Sequence, residues 1–349
     1  MKAHLLYPDR DFDPRARLPW SAGALAGDLD LYTLFAAMAE RDAFVLEVVQ
    51  TVVPTGMYED LATVRHRQDI LRDCLDQPSV LRALYAVAVE ATESEKRHYL
   101  GSMRQYPDWV LRWSVELMAD LLVAARKLRS LADRHAAQFR APAWSAFFAM
   151  LQRELGEEFF ARAEDHLRQM LFRHGVLFSA SLGAGLKGAD FVLHRSPPRA
   201  GTWFSRLFEP QPESYGFSLN PRDEAGHGII SDLRNRGTAI AASALGQSAD
   251  HVRDFFAVLR RELAFYVGCV NLQERLVRIG VPICIPSAEP PTTRRLSGRG
   301  LYDPCLALKT GGPPVGNDLS ADGRDALVIT GANQGGKSPS CAASGWPSS

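Results

Sequence analysis

The residues best suited to chemistry lie near the end of the chain. Gly331, Ala332, Asn333, Gln334, Gly335, Gly336, Lys337 and Ser338 fit the phosphate-loop pattern GxxxxGK[ST] in full. They directly follow Ala326–Thr330 (ALVIT), a short apolar run that reads as a buried strand. The spacing has a physical purpose. A strand aims the loop, glycines let its backbone curl, and successive N–H groups point at phosphate oxygens. In such a loop Lys337 neutralises the β and γ groups, and the Ser338 hydroxyl ligates Mg²⁺. The competing reading is a glycine-rich loop that matches by coincidence; the apolar run in front argues against it.

No other constellation competes with this one. The nine histidines show no ligand spacing, and no Ser/His/Asp set can be assembled. The five cysteines (Cys74, Cys269, Cys284, Cys305, Cys341) form no CxxC pair, which argues against both a zinc site and a disulfide framework. Lys plus Arg equals Asp plus Glu at 40 each, so there is no bulk attraction to nucleic acid, and any such contact must come from a local patch. Candidates are Arg294, Arg295 and Arg299, and Arg253, Arg260 and Arg261, although solvated faces explain such charges as well. The carboxylates Glu154, Glu157 and Glu158 read as a helix surface, and Trp203, Phe204, Phe208 and Tyr215 as a satellite core. No run approaches the roughly 18 apolar residues of a membrane span, and the first residues lack a signal-peptide core, so a cytoplasmic protein is expected.

The elements that must position the loop are mostly helical. Residues 1–28 read as an irregular lead-in. Apolar residues at helical spacing predict one helix over 29–53, ended by Pro54, and a second over 58–75. Pro78 marks a break, with Ser79 as N-cap of a third helix. A longer helix opens at Pro107 and Asp108, and another fills 143–173 after Pro142. Residues 178–228 are rich in glycine, proline and aromatics and predict loops with two or three short strands. Helical periodicity returns over 229–279, stopped by GVPICIP, and 287–300 reads as a linker. The expected fold class is mainly α: a helical body over 29–286, then the start of an α/β phosphate-loop domain over 301–338.

The loop ITGANQGGKS resembles that of the MutS family of DNA mismatch-repair ATPases, with its double glycine before the lysine and its asparagine at Asn333. VGNDLS, with Asn317 and Asp318, is similar to the short segment that lies near the nucleotide base in that family. Arg67-Gln68 and the step from Asp73 to Pro78 resemble the family's helical core, and RRELAFYVGCVNLQERL its returning lever helix. The likeness is thin over most of the chain and strong over 301–338. It implies ATP and Mg²⁺ as cofactors, DNA as a partner and a homodimer formed through the ATPase domains. The family's mismatch-reading domain and its Phe-x-Glu wedge have no counterpart here, so the resemblance is to relatives lacking that domain.

Two departures shape the expected activity. The residues after Ser338, PSCAASGWPSS, hold no carboxylate to serve a second Mg²⁺ and water function, so hydrolysis is not expected. Pro339 brings no N–H where the next helix should begin. A family-like continuation TFLRSIGLAQQL, in suitably chosen GC-rich codons and read after loss of its first base, gives PSCAASGWPSS and a stop. A one-base deletion after Ser338 and a disordered tail over 339–349 are therefore expected. The alternative is a non-catalytic helical fragment that binds DNA or another partner. An unrelated phosphate-loop kinase is disfavoured, because such domains usually place the loop before most of their fold.

Overall fold

The computed structural model describes residues 1–56, 59–97, 106–172, 175–184, 188–194, 216 and 220–328. Among these, ten α-helices account for most of the chain, and the strands form two separate two-stranded antiparallel ribbons. The mainly α expectation is met. The helices are α1 (Ala22–Asp28), α2 (Leu31–Ala39), α3 (Ala43–Gly56), α4 (Leu61–Asp76), α5 (Pro78–Arg97), α6 (Pro107–His135), α7 (Pro142–Glu154), α8 (Glu157–Met170), α9 (Glu224–Arg278) and α10 (Pro304–Thr310). The strands are β1 (Leu177–Leu182), β2 (Gly188–His194), β3 (Ser297–Leu301) and β4 (Asn317–Ser320).

Two compact units emerge. The first joins Met1–Glu90, Lys127–Glu154 and the described residues from Phe255; the second joins Ala91–Arg126 and Leu155–Asp254. α5, α6 and α9 each contribute to both. α9 has 55 residues, so its axis is roughly 80 Å long at 1.5 Å per residue.

In the first unit the core gathers Leu31, Phe35, Val49 and Val52 with Ile70, Leu81 and Leu84, and with Phe256, Leu259, Leu263 and Tyr266 of α9. An aromatic group closes one side, with Trp144 stacked on Phe148 at 5.4 Å and Phe139 edge-on to Phe148 at 5.2 Å. Close approach of α9 to α3 depends on Gly268. A Cβ there would meet Val49 Cγ1 at 3.1 Å and Met38 Cε and Val45 Cγ1 at 3.3 Å. In the second unit Leu117, Leu121 and Ala125 of α6 are buried, as are Phe160 of α8 and Ala242 and Ala249 of α9. Arg126 covers the Phe160 ring at 4.3 Å and pairs with Glu164, while Asp108 at the start of α6 pairs with Arg234 at 3.0 Å. β1 and β2 pair with Leu177 opposite His194 and Leu182 opposite Gly188. Phe178 fills the space over Gly237 of α9, where a Cβ would lie 2.8 Å from its ring.

Several local expectations change. The single helix over 29–53 is two, α2 and α3, parted at Glu40 and Arg41 with φ of 45° and 78°. The Met38 carbonyl, left without a helical partner by that break, accepts from Asn271 Nδ2 of α9 at 2.9 Å. Pro54 does not end α3 but lies inside its last turn. Ser79 is not a cap: α5 begins at Pro78, whose fixed φ suits a first helical position. The helix over 143–173 is divided at Leu155 and Gly156 into α7 and α8. Ala326–Val328 are not a strand, and Val328 is 81% exposed; no described strand lies beside them to pair with or cover them. Ile329 and Thr330 lie outside the described residues, as do Trp203, Phe204, Phe208 and Tyr215.

Candidate functional site

The loop residues Gly331, Ala332, Asn333, Gln334, Gly335, Gly336, Lys337 and Ser338 lie outside the described residues, as does the tail from Pro339. What is described is the approach to them, and it is firmly anchored. α10 is short but well capped. The Asp303 side chain accepts from the N–H groups of Cys305 at 2.8 Å and Leu306 at 3.2 Å, and Gly311 closes the helix with φ of 71°. Ala307 packs with Leu276 and Val281, so α10 rests on the end of α9. Tyr302 donates to the Pro282 carbonyl at 2.6 Å. On its other side α10 meets α2 through Lys309, paired with Asp30 at 2.5 Å, and through Cys305 Sγ, 3.4 Å from the Asp30 carbonyl oxygen.

β3, just before α10, and β4, after it, pair as a ribbon with Asn317 opposite Leu301. The ribbon needs glycine twice. Gly300 has φ of 62°, and a Cβ on Gly316 would lie 2.7 Å from the Gly300 carbonyl oxygen. Asp318 accepts from Gly300 N–H at 2.8 Å, while Asn317 stands at the exposed start of β4. Beyond the ribbon, Glu289, Arg294, Arg295, Arg324, Asp325 and Leu327 line a cleft of ≈ 310 Å³. Arg294 pairs with Asp325, and Arg295 lies 3.9 Å from Glu289, so much of its positive charge is balanced internally. Three of the other basic candidates are likewise engaged. Arg253 pairs with Asp250 and Asp254, Arg260 covers the Phe44 ring at 4.0 Å, and Arg261 donates to the Ala257 carbonyl.

The helical residues that carry the family resemblance turn out to be tie points. Arg67 Nε donates to the Leu6 carbonyl at 2.8 Å, and Gln68 Nε2 to the Pro286 carbonyl at 3.1 Å. Buried Asp73 accepts from the N–H groups of Arg140 at 2.8 Å and Ala141 at 2.7 Å. On α9, Glu274 and Asn271 both accept from Arg82 of α5 at 2.9 Å. These residues register helices against one another and against the stretch that leads to the loop.

No group of three or more His, Cys, Asp or Glu able to hold a metal occurs among the described residues. Burial pushes the Cys269 thiol up to about 12 and the Cys74 thiol well above its usual range, which leaves both unreactive. Burial lowers the pKa of His66, half-buried with Nε2 3.1 Å from the His4 carbonyl oxygen. Sequence reasoning missed Glu262. It is fully buried, and burial raises its pKa to about 7 against the opposing hydrogen bonds from Leu5 and Phe12 N–H. Its only signal was a lone carboxylate among apolar residues on the α9 stripe.

No described helix is long and apolar enough to cross a membrane. No curated protein matches the chain, and no solved structure does. A family model does match: the MutS2 N-terminal domain aligns with residues 59–279, from just before α4 to just beyond α9. That match covers well over half of the sequence, and on it the chain belongs to the MutS2 N-terminal domain family.

Proposed function

We propose that this protein is a MutS-type DNA-binding protein that binds ATP with Mg²⁺ through Gly331–Ser338, in mismatch repair or a related DNA transaction. The observation that carries the reading is the α9–α10 junction. The family-matched helix ends in the cluster Leu276–Val281–Ala307, and α10 there begins the segment that runs into the phosphate loop. The segment that leads to the loop is thereby anchored on the helical body.

The donor set suits the ligand. Gly331, Gly335 and Gly336 permit a backbone nest, Lys337 brings a cation, and the Ser338 hydroxyl is a hard oxygen ligand for Mg²⁺. The intervening Ala332, Asn333 and Gln334 complete the nest, and exposed Asn317 is within the same segment as a contact for the base. The bound nucleotide would supply its phosphate charge and metal as the switching ligand. DNA contact is assigned to the helical body, and homodimerisation to the ATPase portion, by family likeness.

Titration with a fluorescent ATP analogue in Mg²⁺ tests the reading. Saturable binding that Lys337→Ala weakens at least tenfold supports it; no binding, or equal binding by the variant, refutes it. A second reading is favoured by Pro339, which removes an N–H at the loop's exit. It is a helical module that binds DNA or another partner without nucleotide. Gel-shift binding insensitive to ATP and to Lys337→Ala would select it.

A further inference from the structure

Residues 3–12 form a hook whose two shanks are buried while its tip, Pro8–Arg10, is exposed. One side chain holds both shanks. Glu262 Oε2 accepts from Leu5 N–H at 2.7 Å, and Oε1 accepts from Phe12 N–H at 3.1 Å. One helical turn on, Tyr266 donates to the Leu5 carbonyl at 2.6 Å, and Arg67 of α4 holds the next carbonyl, that of Leu6. Tyr7 is covered by Arg67 and Arg10, at 4.6 and 4.0 Å from the ring centre. With His66 Nε2 3.1 Å from the His4 carbonyl oxygen, four side chains thus grip the hook by its backbone.

The grip contains an electrostatic conflict. Glu262 is fully buried, and its hydrogen-bond partners are neutral amides. Asp11, on the hook itself, is near enough to repel its charge, and the buried Asp11 Oδ1 has no hydrogen-bond partner. The other titratable or charged groups around the contact are Lys2, whose Nζ pairs with Asp11 Oδ2 at 2.5 Å, His4 on the hook, Arg67, His66 and Cys74 on α4, and Tyr266 and Cys269 on α9. His4 Nε2 lies 3.6 Å from Asp11 Oδ1, beyond hydrogen-bond range.

We propose that Glu262 makes the hook a proton-operated clasp on α9, closed when its carboxyl is neutral and loosened when it ionises beside Asp11. The sign follows from linkage. A released hook exposes Glu262 to water, where it titrates near 4.5, whereas in the closed state it titrates at about 7. Between these values the closed state holds one more proton, so closure weakens as pH rises, by about tenfold per pH unit and roughly 300-fold in all, and levels off above about pH 7.

Hydrogen exchange on the full chain between pH 5 and 8, corrected for intrinsic chemical exchange, tests this. Protection of the Leu5 and Phe12 amides should fall as pH rises to about 7 and then level off, while amides of α7 keep theirs. Glu262→Gln, which cannot ionise, should flatten the profile, at a lower level of protection because its NH₂ faces one of the two amides. Asp11→Asn should move its midpoint to lower pH. Tyr266→Phe should lower protection at every pH with an unchanged slope. The proposal is overturned if Glu262→Gln keeps the wild-type slope, if protection of the hook does not vary with pH, or if hook and α7 lose protection together.

Discussion

Asp73 offers the sharpest test of the claim that the resemblance-bearing residues are structural ties. Its carboxylate accepts from two successive backbone amides, at 2.8 and 2.7 Å, immediately before α7, whose first residue Pro142 has no N–H of its own. Hydrogen bonds to a charged group contribute about 1.5–3 kcal/mol each, which sets an upper bound of roughly 6 kcal/mol for Asp73→Ala. That bound is too high here. Asp73, Arg140 and Ala141 line a cleft of ≈ 460 Å³, so water can reach part of the vacated site, and only the Ala141 bond is fully buried. A loss of about 2–4 kcal/mol is expected. In Asp73→Asn, both amides donate to the same oxygen, Oδ2, so the Asn carboxamide oxygen can take its place and only the charge is lost; about 1–2 kcal/mol is expected. Urea unfolding followed by tryptophan fluorescence suits the purpose, since buried Trp144 sits in the first turn of α7. An Asp73→Ala loss below about 0.5 kcal/mol, or an Asn variant as damaging as Ala, would refute the argument.

Other outcomes follow from the same geometry. Gly268→Ala sets a helix-propensity gain of about 1 kcal/mol against an overpacking cost of about 1–3 kcal/mol, so thermal unfolding should show a small net loss. Gly268→Leu should be far worse, because Val49, Met38 and Val45 already stand at contact distance. Arg82→Ala removes a link between α5 and α9, yet both Arg82 and Glu274 are more than a third exposed, so solvent screening holds the loss to roughly 0.5–1 kcal/mol by denaturation.

The sequence by itself determined the helical class and most of the helix positions. Apolar residues recurring every three to four positions are a local signal, and prolines at 107 and 142 mark the starts of α6 and α7 whatever surrounds them. It also determined the phosphate-loop reading, because that pattern is contiguous and each residue type has its own task. The helical residues of the family likeness were visible too, though not their role as ties. Only the tertiary structure decided that role, since Arg67, Gln68 and Asp73 bond to backbone groups 61, 218 and 67–68 positions away. The split between α2 and α3 was hidden for a related reason: the carbonyl it frees is satisfied by Asn271, 233 positions on. The hook reads in sequence as charges and turns, and Glu262 as one acid among many. Burial is a property of packing, and the amides that Glu262 binds lie 250 and 257 positions away in the chain.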